Sequence, residues 1–303
     1  MIRRILTLCS LLAAGLASAQ PIIDYARQCA AVTAEIETFD CHKGALLPIT
    51  VNGKTPAKYT KEMDCDRPAM AANTDFRCAP YSRALLIRDD TVQISAYCRQ
   101  KTLRSAASPL YDEIDVIVHS RVNGATCWFS ATAKTAKGID GTKVPPPTSR
   151  GADKFWDPPA QTVKGDCVSC HDSDPWMYSP YLGQTNQYPA DPFGYYTNAI
   201  GPFKAWPEPS AITTRGNNCT SCHRIGNMET CTTGIHQATG GVAIAGADKW
   251  EQTYPHSHWM PPGNSLTLRQ WHVTYDPAMK ELQRCCADPK APGCVVTPIR
   301  GKR

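Results

Sequence analysis

The sequence predicts an α+β chain in which a disulfide-stapled, β-rich N-terminal domain is followed by a mostly helical, loop-rich one. Three observations carry that expectation. Segments of the first half alternate apolar and polar residues with period two, the mark of strands with one face buried. The chain holds 15 cysteines in 303 residues, far more than a reducing compartment leaves as thiols. Beyond residue 160, proline- and aromatic-rich loops surround two Cys-x-x-Cys-His motifs whose spacing suits a helical turn.

Residues 1–19 read as a signal peptide. Arg3 and Arg4 form a positive start, Ile5 to Leu16 a short apolar run, and Ala17-Ser18-Ala19 a small-x-small cleavage site before Gln20. The run is too short to span a bilayer, and no later stretch could anchor the mature chain, so no membrane span is expected. The destination is export, with the periplasm favoured over the medium. The formal net charge of +5 falls by two with the leader, and what remains is too weak and scattered to argue for nucleic acid or anionic membrane.

Residues 20–137 form the β-rich domain. Thr91 to Tyr97 and Glu113 to His119 alternate as strands, and Asn123-Gly124 is a hairpin signal leading into Ala125 to Thr132. Six cysteines fall here: Cys29, Cys41, Cys65, Cys78, Cys98 and Cys127. Residues 138–159, with Pro145-Pro146-Pro147, read as a stiff polar linker. Residues 160–303 form the second domain, where Cys231, Cys285, Cys286 and Cys294 lie outside the two motifs. Both counts are even, which predicts three disulfides before the linker and two after it. Cys285 and Cys286 are expected to bond to different partners, because a bridge between neighbours is strained.

The motifs are Cys167-Val168-Ser169-Cys170-His171 and Cys219-Thr220-Ser221-Cys222-His223. Residues three and four apart share a helical face, so two thiols can reach the two vinyl groups on one porphyrin edge while the adjacent imidazole becomes the proximal iron ligand. Two other uses of such cysteines compete: a four-cysteine zinc site and a pair of redox dithiols. Neither needs a histidine directly after both second cysteines. The expected cofactors are therefore two covalently attached c-type haems, on Cys167, Cys170 and His171 and on Cys219, Cys222 and His223.

Together with Trp259-Met260-Pro261-Pro262-Gly263, which looks like the Met-Pro segment carrying the distal ligand in class I cytochromes c, these motifs make residues 160–303 resemble the c-type cytochromes. His171 and His223 are 52 residues apart. That is closer than the motifs of dihaem peroxidases or tandem cytochrome c domains, and it points to one compact domain sharing its core between two haems. Elimination and resemblance together assign the distal ligands. Met177 is too close to His171 to round the macrocycle and reads as packing. Met260, in a loop stiffened by two prolines, is assigned to the second haem, and His258 to the first, with His256 and His236 behind it. His42 and His119 read as a surface and a strand histidine, and Gly240-Gly241 lacks the context of a dinucleotide fingerprint.

With both axial positions filled, such a chain passes electrons to a redox partner protein. With one position open it could instead be a peroxidase- or oxidase-like enzyme. The carrier is favoured, because axial candidates exist for both irons. No catalytic triad or carboxylate pair stands out.

Overall fold

A computed structural model describes residues 20–47, 49, 51, 54–63, 80–176, 187, 193–235 and 268–301. The signal peptide, Cys65 and Cys78, and the ligand candidates Met177, His236, His256, His258 and Met260 lie outside the described residues. The α+β class holds. Helix α1 (Ile22–Val32) buries Ile22, Tyr25, Ala26 and Cys29, the i, i+3, i+4, i+7 stripe of an amphipathic helix. Strands β1 (Ala45–Leu46), β2 (Arg83–Asp89), β3 (Val92–Arg99), β5 (Glu113–Ser120) and β6 (Thr126–Thr132) form an antiparallel sheet in the order β1-β2-β3-β5-β6. The two-residue strands β4 (Leu110–Tyr111) and β7 (Ile139–Asp140) pair beside it. The β5–β6 hairpin turns at Asn123-Gly124. Gly124 has φ +79°, and a Cβ there would stand 2.6 Å from the backbone of Tyr195, so only glycine fits.

The sheet has an apolar and a polar face. Ile94, Ala96, Val116, Val118 and Phe129 lie on the apolar one, under α1, where Tyr25 packs at 5.2 Å from the Phe129 ring. Two disulfides seal that side, Cys29–Cys127 and Cys41–Cys98. On the other face the register aligns Gln93, Ser95, Tyr97 and Arg99 with His119, Ile117, Asp115 and Glu113, and these with Thr126, Trp128, Ser130 and Thr132. Alternation had marked these polar residues as solvent-facing. Instead β3 is buried along nearly its whole length, because later chain covers this face: Trp176 bonds Gln93, Gln187 meets Ser95, and His171 and Trp206 stand against Trp128 of the same face.

Residues 138–159 are packed against the sheet. Val144 pairs with Phe39, and Val144, Ala152 and Trp156 are buried in the same core as α1. Next come α2 (Pro159–Lys164) and the single turn α3 (Cys167–Cys170). Further along, β8 (Ser210–Thr214) pairs with β9 (Cys294–Pro298) in a ribbon that nothing in the sequence pattern announced, and helix α4 (Leu268–Ala287) lies on it. Cys285–Cys294 ties the helix to the ribbon and Cys231–Cys286 ties it to the helical turn Thr230–Gly234, so the neighbouring cysteines do bond to different partners. Among the described residues no bridge crosses 138–159, and no helix is long and apolar enough to cross a membrane.

The loop between β3 and β5 hangs on one carboxylate. Asp112 accepts two bonds from the Arg104 guanidinium, at 2.5 and 2.6 Å, and two more from the backbone of Lys101 and Thr102. Burial alone would raise its pKa, but the Arg104 hydrogen bonds and the two N–H groups outweigh it and hold the carboxyl below its ordinary value. A lowered folded-state pKa contributes stability above the unfolded value and loses it as pH falls through the folded one. Asp112→Asn should therefore cost about 1–3 kcal/mol at neutral pH, with the deficit vanishing below the carboxylate range. Denaturation of both proteins from pH 7 to pH 2 checks this. A pH-independent difference would refute it.

Candidate functional site

Both motifs close the same turn. His171 N donates to Cys167 O at 2.9 Å, and His223 N donates to Cys219 O at the same distance. Asp166, with φ +55°, opens the first turn, and Asn217 Oδ1 caps the second by accepting from Cys219 N at 3.1 Å. In each motif the first cysteine is half-buried and the second exposed. These four are the free cysteines among the described residues; the other eight are paired.

The chemistry of the thiols separates the competing uses. A redox dithiol needs a lowered thiol pKa. Here burial, with Asp115 adding to it, pushes the Cys167 thiol up to about 12, and burial also raises Cys170 and Cys219. A structural zinc needs four converging side chains. Among the described residues no three His, Cys, Asp or Glu groups converge in that way. Thioether attachment needs neither condition, only two thiols on one turn with an imidazole beside them.

The first motif lies on the polar face of the sheet. Cys167 packs against the main core, and the His171 ring stands edge-on to Trp128 of β6, centroids 4.9 Å apart. Three side chains fix that position. Trp128 Nε1 donates to Asn198 Oδ1 at 2.8 Å, Asn198 Nδ2 to Tyr196 Oη at 3.2 Å, and Tyr196 Oη to His171 O at 2.6 Å. His171 Nδ1 is buried without a hydrogen-bond partner. Burial depresses the imidazole to about 4, so the ring is neutral, the form that binds metal. Beneath Cys167 lies an ionic cluster: Arg99 bonds Asp115 at 2.7 Å and faces Glu113 at 3.3 Å, Lys101 bonds Glu113, and Ser130 donates to Asp115.

The second motif is exposed at His223 and rests on α4, where Cys219 Sγ lies 3.6 Å from Met279 Sδ in a small cluster with Tyr275 and Leu282. Asn217 Nδ2 donates to Ala278 O at 2.9 Å, which fixes the turn to the helix.

The segments leaving the two motifs interlock. Asp172 Oδ1 accepts from Thr230 Oγ1 and Oδ2 from Met228 N, both at 2.7 Å, while Glu229 N donates to Ser169 O at 2.9 Å. Ser173 Oγ donates to Arg224 O at 3.2 Å. Arg224 in turn donates to Ser173 O and Gly194 O and faces the Asp174 carboxylate at 3.8 Å. Gly226 has no room for a Cβ against the Asp172 carboxylate. Chain geometry then keeps the α-carbons of His171 and His223 within about 20 Å of each other.

Of the residues expected at the site, Cys167, Cys170, His171, Cys219, Cys222 and His223 stand on this interlocked unit; Met260 and His258 lie outside the described residues. His119 is buried on the sheet, its Nδ1 2.9 Å from Thr126 Oγ1, and His42 contacts Ser108 O beside the Cys41 bridge. Sequence reasoning missed Trp128, Asp172 and Arg224, which carry no spacing signal because their partners lie far along the chain. Comparison with known proteins finds no matching family model, no similar curated protein and no similar solved structure.

Proposed function

We propose that the chain is an exported dihaem c-type cytochrome that passes electrons to a redox partner protein. Its haems are attached through Cys167 and Cys170, with His171 as proximal ligand, and through Cys219 and Cys222, with His223. One observation carries this reading: in a chain whose other described cysteines are all oxidised to disulfides, the four left free are those of the two motifs. A chain that pairs its thiols this thoroughly leaves four unpaired only if something else consumes them. The disulfides also support export to an oxidising compartment.

In this reading the disulfide-stapled sheet half and the dihaem half share one core rather than standing apart. A bound haem supplies one-electron chemistry at its iron, with the potential set by ligands and surroundings. The chain does the rest. Trp128, Asn198 and Tyr196 orient His171, whose neutral imidazole would hold the iron. The link through Asp172 and Arg224 holds the two attachment turns at one separation, as a pair exchanging electrons requires.

Intact mass after denaturation tests the proposal. The mature chain should exceed its polypeptide mass by two haems, and the reduced protein should give the spectrum of thioether-linked haem. One haem, or zinc in its place, would refute it. Carbon monoxide binding by the reduced protein would shift the reading to a haem enzyme with an open axial position.

A further inference from the structure

We propose that His272 on α4 is the distal ligand of the iron held at the second motif, with Asp276 as the residue that orients it. The inference rests on the dihaem reading and replaces Met260 at that iron. Helix α4 is the element against which the second motif packs, through Asn217 to Ala278 O, Asn218 to Thr274 O and Cys219 to Met279. Met279 itself touches the thiol of Cys219, so it sits at the attachment edge of the macrocycle, where a thioether fills space and cannot reach the centre. Seven residues earlier on α4, two helical turns bring the stripe back to within about 20° of Met279, and His272 stands there.

One contact orients the ring. His272 Nδ1 lies 2.9 Å from Asp276 Oδ1, one turn further along the helix, and this contact draws the imidazole back toward residues 275–279. The carboxylate accepts the Nδ1 proton, which fixes the tautomer with its lone pair on Nε2. Metal-ligating histidines usually have this arrangement. Pro277, between the two stripe residues, is exposed on the opposite side of α4 and so lies off the stripe.

The test uses the full-length, haem-loaded protein. Intact mass is read first. If the wild type lacks two haems, the dihaem reading fails and this inference fails with it. Given two haems, His272→Ala should convert one of them, and only one, from low-spin to high-spin iron that binds carbon monoxide. His272→Met should stay low-spin, raise the potential of one haem, and add intensity to the weak long-wavelength thioether–iron band. Asp276→Asn should leave both haems low-spin but shift one potential upward, a change that a merely structural contact would not produce. If His272→Ala does not fold, His272→Met still decides, since it keeps six ligands and changes only their kind. Wild-type spectra and potentials in every variant would overturn the inference, as would a high-spin haem appearing in Met260→Ala with His272 intact.

Discussion

The double variant Cys167→Ser/Cys170→Ser is expected to lose more than about 5 kcal/mol of stability, several times the cost of losing the other site. Removing a single buried aromatic side chain leaves a cavity worth about 3–5 kcal/mol, and a macrocycle is far larger. The first motif's turn packs on the main core beside Trp128, which itself stands edge-on to Trp206, so on the dihaem proposal a haem carried there would be a core element. Cys219→Ser/Cys222→Ser should behave differently. Its turn lies on the surface of α4, and two disulfides hold that helix to the ribbon and to the Thr230–Gly234 turn independently of any bound group. That variant should keep one haem by mass and melt close to the wild type. Equal losses in the two variants would refute the asymmetry.

Asp172→Ala should be the most damaging single substitution outside the motifs, costing about 2–5 kcal/mol. It strands the Thr230 hydroxyl and the Met228 N–H, and each buried unsatisfied group costs about 1–3 kcal/mol. The vacated space beside Gly226 adds a cavity term. Asp172→Asn keeps one acceptor oxygen and can donate to the Thr230 hydroxyl, so it should lose less than half as much. The readout specific to the link is the separation between the two haem potentials, which should narrow in Asp172→Ala once the attachment turns are no longer held together. A destabilised protein with unchanged potentials would show that Asp172 only supports the fold.

How far the chain could be read before its structure was in hand depended on which face a residue served. The strands at Val92–Arg99, Glu113–Ser120 and Thr126–Thr132 were legible, because apolar alternation survives whatever covers the far side. What the polar half of the alternation faces was not legible. Gln93, Asp115 and His119 look the same in sequence whether they meet water or a partner, since Gln93 is satisfied by distant Trp176 and the other two by residues on the neighbouring strands. β2 escaped because Leu85-Leu86-Ile87 is a continuous apolar run with a bulge opposite Ser95. The motif residues were legible from spacing alone. Their supports were not, since Trp128 lies 43 residues before His171 and Asp172 acts on residues more than 50 positions away.

The free side of β6 has a consequence for assembly. An unpaired strand edge is a template for another chain, and three groups block this one in the finished fold: Thr197 O takes the N–H of Thr126, Tyr25 Oη that of Trp128, and Asp157 Oδ2 that of Thr132. At the opposite border β1 is only two residues long. Two of the three guards, Asp157 and Thr197, come from chain that follows the sheet in sequence. Until those segments dock, β6 presents a bare row of donors. Self-association of the incompletely folded polypeptide then competes with folding, and the yield of native protein should fall as its concentration during refolding rises.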